Sequence, residues 1–157
     1  MRLLTTLFLL TSCGAGATTT TSNERKVTNK CTLPAISRSI DEEILPYVTE
    51  FSEDALSYKA ACFYTGRIVF APKLDGQVIG YCLPPFKVVI SREYWDSASE
   101  DSKRTLIYHE LGHCSLNIEH TAEDSFHIMN PVLLSDWDIF GRWKYLVRKL
   151  FEGDTDG

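Results

Sequence analysis

Apolar residues first recur at helical spacing where Val48, Phe51, Ala55 and Tyr58 stand three or four positions apart. A helix over 47–59 with one core-facing stripe follows from that period. Upstream, Ser39 followed by Glu42 has the form of a capping box, opening a helix that Pro46 interrupts or resets. The period then shortens. Arg67–Ala71, Gln77–Cys82 and Phe86–Ser91 are short apolar runs carrying β-type residues, and each reads as a strand. Asp75-Gly76 lies between the first two and predicts a hairpin, while Pro84 and Pro85 break the chain before the third. Ser97 with Glu100 predicts a cap and a helix from about Ala98. Ser135 with Asp138 predicts a last helix, whose stripe is Ile139, Trp143, Leu146, Val147 and Leu150. A short sheet set between helices is an α+β pattern.

The second of these helices carries the candidate chemistry. All four histidines lie within 109–127, and three belong to HELGHCSLNIEH, residues 109–120. His109 and His113 are four apart, so a helix stacks both imidazoles on one face, one turn apart, within reach of a single ion. Glu110 lies about 100° around from His109, placed to touch a metal-bound water without being a ligand. Ile107, Leu111 and Cys114 share the opposite side. The expected helix therefore has an apolar back and a polar, metal-facing front, with Cys114 aimed at the core and better placed to bond another cysteine than a metal. His120 is seven residues past His113, and an unbroken helix would carry it roughly 10 Å along the axis. Metal–nitrogen bonds of about 2 Å exclude that, so the helix must stop and the chain turn back. Asn117 tolerates the left-handed conformation found just past helix ends and is the expected stopping residue.

Composition changes the picture at the N-terminus. The 157 residues suit one domain, and 44% apolar with 24% charged residues is an ordinary globular balance. A net charge of −5 without an Arg-rich run excludes a phosphate-binding footprint, so no nucleic-acid partner is expected. Arg2 followed by Leu3 to Leu10 makes a positive start and an apolar stretch too short to span a bilayer. It ends in Leu10-Thr11-Ser12-Cys13, which resembles the bacterial lipobox. That resemblance implies cleavage before Cys13, lipidation of its thiol and a membrane anchor. Gly14 after it resembles lipoproteins sent to an outer membrane or cell surface. The organisation expected is a signal peptide over 1–12, a lipidated Cys13 with a Thr-rich tether over 13–30, a folded domain over 31–152 and an acidic tail over 153–157. Export leaves Cys31, Cys62, Cys82 and Cys114 as an even set in an oxidising compartment. Of the three possible pairings, Cys82–Cys114 with Cys31–Cys62 is favoured.

His109-Glu110-Leu111-Gly112-His113, then His120, then His127-Ile128-Met129-Asn130-Pro131 resembles the metzincin zinc proteases. Their pattern is HExxHxxGxxH followed by a turn with a Met beneath the metal. The same residues also resemble small bacterial lipoproteins described as metallopeptidases. The likeness is specific over 106–131 and reaches back more loosely to about Gly66. It departs in placing the third His one residue late, with Leu116 and Asn117 where the family has glycine. Pro131 stands where some members place a Tyr.

Carried over, the resemblance implies a metzincin-like zincin: a small mixed sheet packed on an active-site helix, with N-terminal and C-terminal helices. His109, His113 and His120 become ligands to one catalytic Zn2+, Glu110 the base and Met129 the Met-turn residue. His127 is the rival third ligand, with Glu123, Asp124 or Glu152 open if the fold is another zincin. Three neutral imidazoles leave a fourth position for water, whose pKa zinc lowers from about 15.7 to about 7. Glu110 takes that water's proton and passes it to the leaving amine. The expected function is a lipid-anchored zinc endopeptidase, monomer favoured, cutting protein or peptide outside the cytoplasm, with Gln77–Cys82 the edge that pairs extended substrate. Two alternatives use the same residues: a hydrolase of cell-envelope peptide cross-links, and a zincin-fold binding module without turnover.

Overall fold

A computed structural model of the chain describes residues 40–60, 66–83, 87–122 and 125–153. Cys13, Cys31, Cys62, the Thr-rich tether, the Ser39 cap, Glu123, Asp124 and most of the acidic tail lie outside the described residues. The elements run α1 (Leu45–Ser57), β1 (Arg67–Ala71), β2 (Gly80–Leu83), β3 (Lys87–Ser91), α2 (Arg92–Ser97), α3 (Glu100–Leu116), α4 (Asp136–Ile139) and α5 (Trp143–Glu152). This is the α+β architecture that the patterning predicts.

Pro46 does not interrupt α1 but sits in its first turn. Its missing N–H is one of those a helix start leaves unpaired anyway, so proline fits there at little cost. Val48, Phe51 and Ala55 are buried as the period requires, and Tyr58 lies just past the helix end.

The three strands order as β1-β3-β2, with β1 parallel and β2 antiparallel to β3. The hairpin expected between the first two strands is therefore not formed. The reason is visible in β3, where Val88, Val89 and Ile90 are all buried. A strand apolar on both faces belongs in the middle of a sheet. Asp75-Gly76 still turns, with Gly76 at φ +64°, but inside the β1–β2 connection. The reversal that makes an antiparallel pair falls instead between β2 and β3. Strand β2 begins at Gly80, three residues later than the apolar run, and is left as a sheet edge.

Helix α3 starts at Glu100 under a Ser99 cap, whose hydroxyl accepts from the Ser102 N–H at 3.1 Å, and not under Ser97. Ser97 instead closes α2, a short helix that the pattern does not reveal, and Ala98 is extended between the two. The expected apolar back and polar front of α3 also need correction, because every residue from Thr105 to Gly112 is buried. Tyr108 packs on α1, its ring centroid 5.2 Å from that of Phe51 and its hydroxyl donating to Asp54 at 2.6 Å. Cys114 is half-buried and faces β2, where it forms a disulfide with Cys82 across a Cα–Cα distance of 5.7 Å. A helix surrounded in this way has no single polar face.

The last predicted helix is two helices. Ser135 and Asp138 form the full capping box at the start of α4, and Gly141 at φ +71° separates it from α5. Ile139, Leu146, Val147 and Leu150 are buried as expected. Asp136 accepts from the hydroxyls of Ser99 and Ser102 at 2.7 and 2.9 Å, tying α4 to the start of α3. That tie fixes the segment 131–135, which forms one wall of the site.

Candidate metal centre

The helix end decides where the third histidine falls. Asn117 adopts φ 55°, ψ 43°, the left-handed conformation expected of it. The N–H groups of Asn117 and Ile118 both donate to the Gly112 carbonyl, closing the helix with a widened turn. The chain then doubles back and brings His120 beside the helix.

The Nε2 atoms of His109, His113 and His120 lie 3.1 to 3.2 Å from one another. Backbone carbonyls set two of the rings. His109 Nδ1 donates to the Ile128 carbonyl at 2.8 Å, and His113 Nδ1 donates to the Ile118 carbonyl at 2.7 Å. A carbonyl can only accept, so both Nδ1 atoms carry the proton and both Nε2 atoms present lone pairs. Two lone pairs facing each other at this distance repel unless a cation lies between them. Nitrogens bonded tetrahedrally at about 2.0–2.1 Å would stand about 3.3–3.4 Å apart, close to the observed spacing. The three histidines could thus hold one metal ion. Each carbonyl also does what the outer partner of a ligating imidazole does, fixing tautomer and orientation.

Electrostatics agree with neutral donors. Burial pulls His109 down to about 4, with His113 and His120 adding to the effect. Burial and then His113 lower His120. Glu110 is 4% exposed, and burial alone pushes its carboxyl up to about 8. Its Oε2 has no hydrogen-bond partner among the described residues. A buried carboxylate oxygen without a partner costs free energy, and a group meant to receive one explains it.

The rival ligand His127 takes another part. It is buried, its Nδ1 accepts the Met129 N–H at 2.9 Å, and it does not join the three-nitrogen cluster. Glu152, at the exposed end of α5, is not in the cluster either. Met129 is fully buried, in a turn whose Met129 carbonyl accepts from Thr121 N–H at 2.9 Å. The side chain lies against Gly112, where a Cβ would overlap Met129 Sδ and come within 3.1 Å of Cε. The turn therefore supports the histidine-bearing helix at Gly112 and through the Ile128 carbonyl.

The histidines and Glu110 open into a cleft of about 1000 Å³. One wall is the segment 77–82 that contains the start of β2, and the other is 131–135. Tyr94 and Ser102 also line the cleft. Among the described residues neither Lys nor Arg lines it, and the only acidic side chains there are Glu110 and Glu119. Three contributors escape sequence reasoning: Gly80, Tyr94 and Gly112. For Gly80 a signal exists, since glycine inside a strand run marks a close approach. Gly112 sits in the middle of the histidine motif, where its contact with Met129 is invisible until the turn is folded.

No curated protein and no solved structure matches the chain. One family does, described as "Putative phage metallopeptidase", and it covers residues 48–135, more than half of the chain and all three clustered histidines. The chain belongs to this metallopeptidase family.

Proposed function

We propose that the protein is a zinc endopeptidase that hydrolyses peptide bonds in extended polypeptide, with His109, His113 and His120 as ligands and Glu110 as the base. One observation carries the reading: two carbonyl-fixed imidazoles aim bare lone pairs at one point, beside a buried carboxylate oxygen that lacks a partner. Three neutral nitrogen donors suit zinc and leave an open position. Zinc bound there supplies an acidified water and a Lewis acid for the scissile carbonyl. Glu110 takes up a proton at its carboxylate and returns it to the departing amine. Burial raises its proton affinity towards the working range such an exchange needs.

Substrate placement follows from strand pairing. Ser91 N–H donates to the Ile79 carbonyl at 2.9 Å, which makes Ile79 and Ser91 a hydrogen-bonded pair. In an antiparallel ladder such pairs alternate, so Tyr81 and Leu83 also turn their backbone groups towards β3. Gly80 and Cys82 turn theirs to the free edge of the sheet, where an extended peptide adds as a fourth strand. The half-buried Ile79, Leu133 and Leu134 and the absence of cations among the described lining residues favour apolar side chains over acidic ones next to the scissile bond.

The deciding measurement is digestion of a peptide library by the zinc-loaded protein and by Glu110→Gln. Cleavage by the first, and loss of about 10²–10⁴-fold in the second with zinc still bound, is the expected result. Muropeptides cut in preference to the library would move the activity to envelope cross-links. Inertness of the zinc-loaded protein towards both would leave only a binding module.

Anchoring through Cys13 belongs to the same proposal and rests on the lipobox-like Leu10-Thr11-Ser12-Cys13. Among the described residues no helix is long and apolar enough to cross a membrane. Cys13→Ser should move the protein out of the membrane fraction, and unchanged partitioning would remove the anchor.

A further inference from the structure

The mechanism leaves two neighbouring features of β2 unexplained: a glycine at the cleft and a disulfide next to a ligand. Gly80 and Cys82 are two apart and so share one face of the strand. Glu110 and Cys114 are four apart and so share one side of α3. Two strand residues span about 6.7 Å and one helical turn of four residues about 6 Å, so the two pairs are in step. Bonding Cys82 to Cys114 sets Gly80 over Glu110.

A side chain at Gly80 would fit only if a neighbour gave way. A Cβ there would lie 3.0 Å from Glu110 Oε1, 3.1 Å from Ile90 Cδ1 and 3.1 Å from Leu106 Cδ1. Ile90 and Leu106 are fixed in the core at 0% and 1% exposure. Glu110 and Leu106 both line the cleft, but the carboxylate is the nearest of the three groups, and among the described residues its Oε2 has no hydrogen-bond partner to hold it. An added methyl group would therefore push the carboxylate.

We propose that Gly80 is a positioning residue that holds the Glu110 carboxylate beside the three histidines, and that the Cys82–Cys114 bond sets the strand register that keeps it there. This rests on the reading of Glu110 as the base. The same stretch thus does two jobs: its backbone edge faces substrate and its bare α-carbon faces the base. A slip of one residue would turn the opposite face of β2 to the helix, and a slip of two would set Val78 or Cys82 over Glu110.

A double-mutant cycle tests the contact without using activity. Thermal midpoints of the metal-free wild type, Gly80→Ala, Glu110→Ala and the double variant are compared. Alanine in place of a strand glycine ordinarily stabilises. Gly80→Ala should lower Tm by a few degrees when Glu110 is present, and raise or preserve it in the Glu110→Ala background. Equal shifts in both backgrounds would overturn the contact. In zinc-loaded protein, Gly80→Ala should lower kcat by about tenfold or more, with KM and zinc stoichiometry unchanged. Unchanged kcat in a peptide-cleaving protein would overturn the positioning role. A zinc-loaded wild type that cleaves nothing would instead sink the peptidase reading, while the cycle still decides the contact. For the register, Cys82→Ser/Cys114→Ser should speed amide exchange at Tyr81 and Leu83 by about tenfold and lower kcat/KM, zinc being retained. Unchanged exchange and unchanged kcat/KM would overturn it.

Discussion

Gly112 lies directly against the sulfur of Met129, one residue before His113 of the histidine cluster. Helix propensity favours Gly112→Ala by up to about 1 kcal/mol. Overpacking against a fully buried methionine opposes it by about 1–3 kcal/mol, so the contact wins. Gly112→Ala should lower Tm and weaken zinc binding together, whereas Met129→Leu should cost less than about 1.5 kcal/mol. Calorimetry with chelator competition checks both, and a stabilised Gly112→Ala would show that the turn does not support the helix.

A pH dependence follows from the burial of Glu110. Its carboxyl is raised from the ordinary 4.5 to about 8 in the metal-free fold, so the folded state holds a proton that the unfolded chain releases. The sign is then fixed: stability is lost as pH rises from about 4.5 to about 8, and the penalty is constant above that range. Glu110→Gln carries no such penalty. Denaturant unfolding of both metal-free proteins should agree near pH 4 and diverge by a few kcal/mol at pH 8, in favour of the variant. Parallel curves would mean that the carboxylate is solvated.

Asn117 stands at φ 55° and reverses the chain towards His120. Asn117→Gly should be neutral or mildly stabilising, since glycine needs no special conditions there. Asn117→Val should cost about 1–2 kcal/mol and release the third ligand, weakening zinc while leaving α3 helical. Competition against a zinc indicator dye separates the two variants.

The rival histidines separate in the same assay. His120→Ala should lose about two orders of magnitude or more in zinc affinity, by analogy with the 10–100-fold that even outer-shell partners are worth. His127→Ala should retain zinc stoichiometry but lose about 1–3 kcal/mol, because the buried Met129 N–H loses its acceptor. A reversal of these two results would exchange the roles assigned to them.

The parts of this fold that are local in sequence are the parts that patterning reveals. The i, i+4 histidines, the αL stop at Asn117, the Ser135–Asp138 box and the buried stripe of α1 each depend on neighbours within one or two turns. The sheet order was not legible in that way, because whether β2 pairs with β1 or β3 depends on which strand is buried on both faces. Cys82–Cys114 was the favoured one of three pairings, and the helix side said only that Cys114 bonds a cysteine; the bond's effect on Gly80 needed the strand register. The three-sided burial of α3 was also hidden. Tyr108 and Gly112 look like ordinary helix residues until α1 and the Met129 turn are packed on them.

The carbonyls of Ile118 and Ile128 have one more consequence. By occupying the second nitrogen of His113 and His109, they leave those rings no free site from which to pass a proton onward. Among the grouped side chains, Glu110 alone keeps an uncommitted oxygen. In the proposed mechanism a proton taken from the site therefore leaves through Glu110 rather than through His109 or His113, and the rate at which that one buried group is emptied sets a ceiling on turnover.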